Sequence, residues 1–198
     1  DNWRTLNRLH TDPLFAQPAD APLQVGAVLA GLDRIVITMM TLSGFVLDGM
    51  TRGLGWRFLS LGRRMERLMN LCTALQVGIG AGGTHSLDWL LELADSTLTY
   101  RSRYLAAPEW LAVLDLLVRD ETNPRSVAFQ VKGLREYVGK LEATHGRFAS
   151  DLLNPLQAQL DALTPADLTS QSPALTQFLA QAQRAGHAAA DELTLKFF

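Results

Sequence analysis

Apolar residues recur at steps of three and four along most of the chain, which is the spacing of amphipathic α-helices. The pattern is clearest from Met50 onwards, where a long apolar stripe runs beside a row of arginines. A helix that is apolar on one side and cationic near its middle needs neighbours around most of its circumference. The sequence therefore predicts that this helix lies at the centre of the fold. The residues of the stripe are Phe58, Leu61, Met65, Leu68, Cys72, Leu75 and Ile79.

The same periodicity predicts helices along the rest of the chain, and no segment shows the alternation that is typical of a β-strand. Proline and glycine clusters separate the helices. We therefore predict an all-α fold, an antiparallel bundle of about six to eight helices with a long central helix and no sheet. The main predicted helices span residues 1–9, 23–47, 51–79, 87–104, 108–118 and 124–145.

Polar residues beside prolines predict where several helices begin. In the turn that starts at Asp120, Asn123 is expected to cap the next helix and Pro124 to take its first position. Asn154-Pro155 and Thr164-Pro165 are expected to restart short helices, and Ser172-Pro173 to open the last one. We interpret residues 1–198 as a single helical domain in which 146–198 form a C-terminal extension.

Composition excludes several classes of protein. A net charge of −2 argues against a general nucleic-acid-binding protein. The single cysteine, Cys72, excludes an intrachain disulfide and favours a reducing compartment, and its place on the apolar stripe predicts a buried thiol rather than a nucleophile. The first residues lack the charged-then-apolar order of a secretory signal. We expect a cytoplasmic protein.

The most apolar run, Ile35 to Leu47, is interrupted by threonine, serine and glycine and bracketed by charged residues. It is short for a bilayer span, so a buried helix of a soluble protein with no membrane partner is predicted. The four histidines are far apart in the sequence, and none has a second ligand-type residue one helical turn away. The sequence therefore predicts no metal site, and it points to no cofactor.

Charged residues on the edge of the apolar stripe are the candidates for chemistry. Arg63 and Glu66 share a helix face, and Asp95 is expected opposite Arg63 or Arg67, in a partly buried charge network. Three interpretations remain open: an ion-pair network that clips helices together, an arginine pocket for a carboxylate or phosphate, and catalysis by Glu66 or Asp95 as general base. The candidate anion ligands are Arg57, Arg63, Arg67, Arg101 and Arg125.

Two long blocks of the sequence, GWRFLSLGRRMER and LLELADSTLTYRSRYLAAPEWLAVLDLLVRDETNPRSVAFQV, resemble the alpha-E domain family. Glu66-Arg67 matches the Glu-Arg motif for which the family is named. The resemblance is good over residues 1–145, with a weaker match at the closing Lys196-Phe197-Phe198. Family members usually begin with an earlier helix that carries a tyrosine-tryptophan-leucine-glycine-arginine segment, which this sequence lacks. We therefore expect the chain to correspond to the later portion of the family domain.

The resemblance implies a helical accessory or interaction domain of a peptide-modifying system. Its implied partner is an ATP-grasp amide ligase, to which the domain would present a peptide substrate. One alternative is an enzyme that acts on a peptide-like amide or acyl-phosphate through Glu66, Asp95 and the arginines. A second alternative is an oligomerisation scaffold, because the long apolar helix over 23–47 suits association with a second copy.

Overall fold

A computed structural model describes residues 2–13 and 24–198 of the protein. These residues contain nine α-helices, one π-helical turn, one 3-10 turn and no β-strand, which confirms the predicted all-α fold. The helices fall into two compact units, Asp1–Trp56 and Arg57–Phe198. The helices are α1 (Asn2–His10), α2 (Val25–Gly49), α3 (Leu54–Ala81), α4 (His85–Leu93), α5 (Thr97–Tyr104), α6 (Trp110–Leu114), α7 (Val127–His145), α8 (Ser150–Ala162) and α9 (Pro173–Phe197).

In the first unit, α1 and α2 pack together and are joined by a bidentate ion pair. The Arg34 side chain donates through Nε to Asp12 Oδ2 at 2.7 Å and through Nη2 to Asp12 Oδ1 at 2.9 Å. Asp12 is only 7% exposed, so these two charge-assisted hydrogen bonds offset part of the desolvation of its carboxylate. The pair fixes the chain just after α1 against the first half of α2.

The prediction that α2 is a buried core helix is wrong. Of its 25 residues only Gly31 is buried, and large apolar side chains such as Val25 and Met40 are 75% and 69% exposed. The helix is also longer than the apolar run that appeared too short for a bilayer. By length and composition it is able to cross a membrane, a property that it shares with core helices of soluble proteins and with signal sequences. Helical periodicity does not reveal whether a partner covers the apolar face.

In the second unit, α3 occupies the predicted central position. Its apolar stripe is buried against the other helices of the unit; Leu61, Leu68 and Leu75 have no exposed surface. Cys72 is equally inaccessible, and burial raises the pKa of its thiol to about 12. The predicted burial of the Cys72 thiol is therefore confirmed, and its raised pKa disfavours the nucleophilic thiolate form.

The predicted helix over 87–104 is broken into α4 and α5, so the helices outnumber the six to eight expected. Asp95, in the turn between α4 and α5, adopts a left-handed conformation with φ of 48°. Aspartate tolerates that conformation better than most residues. The N–H of the next residue, Ser96, donates to Leu91 O at 2.8 Å and closes the turn.

Helix α7 begins three residues later than predicted. Its cap is Ser126, whose hydroxyl accepts a hydrogen bond from Phe129 N at 3.0 Å. Asn123 does not cap a helix, because its side chain is buried and turned toward the preceding π-helical turn, Asp115–Arg119. There its Nδ2 donates to Leu116 O at 3.1 Å. Asparagine is a common N-cap residue, but the side chain of Asn123 donates its hydrogen bonds to other parts of the fold.

Helix α8 begins at Ser150, so the predicted restart at Asn154-Pro155 is wrong and Pro155 lies inside the helix. The helix starts early because Glu142, in α7, accepts hydrogen bonds at 2.9 Å from the N–H groups of Phe148, Ala149 and Ser150. The other two predicted starts are confirmed. Thr164 precedes a 3-10 turn, Pro165–Asp167, and Ser172 caps α9 through Leu175 N at 3.1 Å.

Candidate functional site

A pocket of about 350 Å³ lies between α3, α4 and the beginning of α7. Four polar side chains line it, two of them arginines, together with a wall of aliphatic residues. On α3 the polar residues precede the apolar ones by one turn, so the pocket has a cationic part and an apolar part. The polar residues are Arg67, Asn70, Arg125 and Gln130, and the apolar residues are Leu71, Ala74, Leu90, Leu93 and Ala94.

Arg67 is half-buried in a strongly positive environment. Burial lowers the pKa of its guanidinium, and the charges of Arg125, Arg63 and Arg64 lower it further. In the part of the chain that the structure describes, no carboxylate lies within ion-pair distance of Arg67. The Arg67 guanidinium has therefore lost hydration without gaining an acidic partner. An anion bound in the pocket would be such a partner.

A third arginine, Arg64, packs against α7, and its charge adds to the positive potential at Arg67. Its guanidinium lies over the ring of Phe129, with 5.0 Å between the guanidinium carbon and the ring centroid, and 5.6 Å from that of Tyr137. A Cβ added at Gly133 would stand 2.4 Å from Arg64 Nη1, so the glycine provides the space for the guanidinium. Burial lowers the pKa of Arg64.

Gln130 connects this arginine to the turn before α7. Its side chain is 1% exposed, its Nε2 donates to Pro124 O, and its Oε1 lies 3.5 Å from Arg64 Nη1. Arg64, Gln130 and Asn70 were not among the site residues predicted from the sequence. One sequence feature could have indicated Arg64. Gly133 lies four residues from Phe129 and from Tyr137 on one face of a predicted helix, and a glycine between two aromatics leaves space for a long side chain from another helix.

Arg125 belongs both to the pocket and to an ion pair at its edge. Arg125 Nη2 donates to Asp95 Oδ2 at 2.8 Å, and the Asp95 side chain is 78% exposed. Asp95 does not line the pocket. The prediction that Asp95 lies opposite Arg63 or Arg67 in a partly buried charge network is therefore wrong, because the left-handed turn at this residue rotates its side chain out of the helical phase that the prediction assumed.

Glu66 is exposed, and none of its basic neighbours in residues 2–13 and 24–198 forms an ion pair with it. The predicted partly buried network around it is not formed. Glu66 and Arg63 instead line a shallow depression on α3, in which Phe58, Leu59 and Gly62 provide the apolar part. Arg67 borders both this depression and the pocket.

The remaining predicted site residues lie outside the pocket. Arg57 Nη1 reaches Lys140 O near the end of α7, at 3.5 Å, and Arg101 is an exposed residue of α5. Asp120 is paired with Arg103. Burial raises the pKa of Asp120, but hydrogen bonds from Thr122 and Arg103 outweigh burial and hold this pKa below its usual value.

Two of the predicted turn residues, Asn123 and Pro124, form hydrogen bonds with residues of the pocket. Asn123 Oδ1 accepts the N–H of Arg125 at 3.0 Å, and Pro124 contributes the carbonyl that Gln130 binds. Both contacts position residues of the pocket.

Comparison with known proteins gives a family. The family model of Alpha-E, described as a predicted alpha-helical domain with a conserved ER motif, matches residues 1–198. The match includes all of residues 146–198, where the sequence resemblance was limited to a weak match at the last three residues. The sequence contains one Glu-Arg pair, Glu66-Arg67. Glu66 borders the shallow depression, and Arg67 borders it and lines the pocket.

Curated relatives include an uncharacterized protein of Mycobacterium bovis and uncharacterized proteins of two Mycobacterium tuberculosis strains. Each is 28% identical over 137 residues, which cover 66% of this chain and 16% of the relative. No solved structure matches the chain. The chain belongs to the Alpha-E family of helical domains.

Proposed function

We propose that this domain binds the carboxylate end of a peptide-like ligand in the pocket between α3, α4 and α7. The observation that carries the proposal is the half-buried Arg67, which is surrounded by other arginines and has no acidic partner among the described residues. Such an arrangement is unfavourable for the empty protein. It becomes favourable when a bound anion neutralises the site.

The chemistry of the lining selects the ligand class. A guanidinium has a planar fork of N–H donors that binds a carboxylate through two parallel hydrogen bonds. The aliphatic wall, with Leu71, Leu90 and Leu93, suits an apolar side chain next to that carboxylate. A volume of about 350 Å³ is at the lower end of the range for ligand pockets and accommodates the last residue or two of a peptide.

Binding rather than catalysis is the function that this geometry supports. Glu66 and Asp95, the two candidate catalytic acids, are exposed and do not line the pocket. General base catalysis requires the base to reach the reacting proton, directly or through one water molecule. We therefore propose a non-catalytic domain that holds a peptide for another protein.

The proposed partner is an ATP-grasp amide ligase, acting with this domain in the cytoplasm. The family resemblance supports this part of the proposal, and the pocket is compatible with it, since an amide ligase uses a carboxylate-bearing substrate. Addition of the domain is expected to increase peptide-dependent ATP hydrolysis by such a ligase, and the Arg67→Met variant should not increase it. An equal effect of both proteins would contradict the presenting role.

The binding proposal is tested by calorimetric titration of the full chain with a short peptide that ends in leucine. The free-carboxylate peptide should bind, and its C-terminal amide should bind at least tenfold more weakly because the charged acceptor is absent. Arg67→Met should weaken binding of the acid by tenfold or more. Arg101→Met removes an exposed arginine outside the pocket and serves as the control.

Urea unfolding of Arg67→Met provides the folding check. Removal of a half-buried cation from among other cations should leave the free energy of unfolding unchanged or slightly higher. Equal affinity for acid and amide, or equal affinity of the Arg67→Met and wild-type proteins, would overturn the proposal.

A further inference from the structure

The ion pair between Asp95 and Arg125 lies at the edge of the pocket and has no role in the binding proposed above. One nitrogen of the guanidinium, Nη2, donates to Asp95 Oδ2 at 2.8 Å. The side chains of Asp95 and Arg125 are 78% and 41% exposed. Arg125 lines the pocket and Asp95 does not, so the acid holds one of the pocket's two arginines from outside.

A second contact, between Ser96 and Asn123, joins the two turns that carry this ion pair. The hydroxyl of Ser96, the residue after Asp95, accepts a hydrogen bond from Asn123 Nδ2 at 3.4 Å, and Asn123 Oδ1 accepts the N–H of Arg125 at 3.0 Å. Ser96 and Asn123 are 0% and 3% exposed. The backbones at Asp95 and Arg125 are thus held in place by a buried contact, while the ion pair itself remains open to solvent.

An exposed ion pair with fixed backbones exchanges its partner easily. Exposed ion pairs contribute little to stability, so the exchange of Asp95 for another carboxylate at Arg125 costs little free energy. The backbone contact through Asn123 keeps Arg125 at the pocket during that exchange. A ligand carboxylate that binds Arg125 is repelled by the nearby negative charge of Asp95, and it must displace Asp95 or share the guanidinium with it.

We propose that Asp95 is an internal competitor for the ligand carboxylate and sets the affinity of the pocket through Arg125. This inference rests on the proposed function. In the empty protein Asp95 neutralises Arg125, and an anionic ligand takes its place. A ligand that reaches Arg67 as well as Arg125 makes contacts that Asp95 does not make. The competitor therefore discriminates against small anions that interact with Arg125 alone.

The test is a calorimetric titration of the full chain and its Asp95→Asn variant with the leucine-terminated peptide. Asparagine keeps the left-handed conformation and the size of the side chain, so the fold is expected to persist. Removal of the competing charge should tighten peptide binding about three- to tenfold. Inorganic phosphate, as a small anion, should gain at least as much.

The matched control is Asp151→Asn. Asp151 is also 78% exposed and also pairs with an exposed arginine, Arg147, but it lies in α8 and does not line the pocket. This variant changes the net charge by the same amount and should leave the affinity within about 1.5-fold.

The outcomes separate the inference from the proposed function. Unchanged or weaker binding by Asp95→Asn, with binding by the wild type still lost in Arg67→Met, would overturn the competitor and leave the binding function standing. Equal tightening in Asp95→Asn and Asp151→Asn would reduce the effect to net charge and would also overturn it. Absence of binding by wild type and every variant would overturn both.

Discussion

At the scale of single residues, the arginines of this domain differ by their surroundings and not by their chemistry. Five were candidates from the sequence, and only Arg67 and Arg125 line the pocket. Helical phase places a side chain on a face of its own helix, but it does not tell which other helix lies opposite. Arg57 and Arg67 were therefore both candidates for an anion site in the sequence, and the packing of α3 places only Arg67 in the pocket. The left-handed turn at Asp95 had no sequence signal beyond the residue type.

Glu66→Ala should change the free energy of unfolding by less than about 1 kcal/mol, because Glu66 is exposed and has no ion-pair partner in the described part of the chain. The partly buried network predicted from the sequence would instead give a loss of about 3–5 kcal/mol. Urea unfolding of the single variant distinguishes the two values. A loss in the larger range would mean that Glu66 pairs with a buried cation in solution.

At the scale of elements, α3 determines both the core and the pocket, and its glycines show how closely it is packed on each side. A Cβ at Gly78 would stand 2.7 Å from Cδ1 and 2.9 Å from Cγ of Leu90, a buried residue that also lines the pocket. A Cβ at Gly62 would meet nothing within 4 Å. The sequence predicted the length and the buried face of α3, because a strong apolar stripe fixes both. It did not predict the close crossing of α3 with α4.

Gly78→Ala and Gly62→Ala should therefore have opposite effects on stability. Alanine is the better helix former by about 1 kcal/mol, so Gly62→Ala should raise the free energy of unfolding. In Gly78→Ala the new methyl group should displace Leu90, and the free energy of unfolding should fall by about 1–3 kcal/mol. The two variants are compared in one denaturation series. A gain at Gly78 would show that α4 moves away without loss.

The contact between α7 and α8 makes a defined contribution to acid sensitivity. Burial raises the pKa of Glu142, but hydrogen bonds from the N–H groups of Phe148, Ser150 and Ala149 outweigh it and lower the pKa to about 2. A carboxylate with a lowered folded-state pKa stabilises the protein above its ordinary value of 4.5, and this stabilisation is lost as the pH falls toward 2.

Glu142→Gln should consequently be less stable than the wild type at pH 7, and the difference should shrink between pH 4.5 and pH 2. Thermal unfolding of both proteins between pH 7 and pH 2 measures this difference in stability. Glutamine retains an oxygen acceptor and loses the charge, so the comparison isolates ionisation. A difference that stays constant with pH would contradict this role of the carboxylate.

At the scale of the whole molecule, the hydrophobic core of the described residues lies entirely in the second unit. Its buried members run from Leu61 to Leu193. In the first unit, α2 exposes most of its apolar side chains. The all-α class was predictable because helical periodicity extends over nearly the whole sequence. The division into two units was not, because α3 crosses the boundary and nothing in its own pattern marks one.

A chain of residues 54–198 should therefore fold without the first unit. We expect a cooperative urea transition and a helical circular dichroism spectrum, together with the affinity of the full chain for the leucine-terminated peptide, since every pocket residue lies between Arg67 and Gln130. A broad transition without cooperativity would show that residues 1–53 contribute to the core.

We propose that Arg67 and Arg125 together hold a ligand carboxylate in the pocket between α3, α4 and α7. Nuclear magnetic resonance of the arginine side-chain N–H groups, during titration of the full chain with the leucine-terminated peptide, tests it most directly. We expect saturable shifts at Arg67 and Arg125, smaller shifts at Arg64, and none at Arg57 or Arg101. Shifts confined to Arg57 or Arg101, or the same shifts with the C-terminal amide of the peptide, would contradict it.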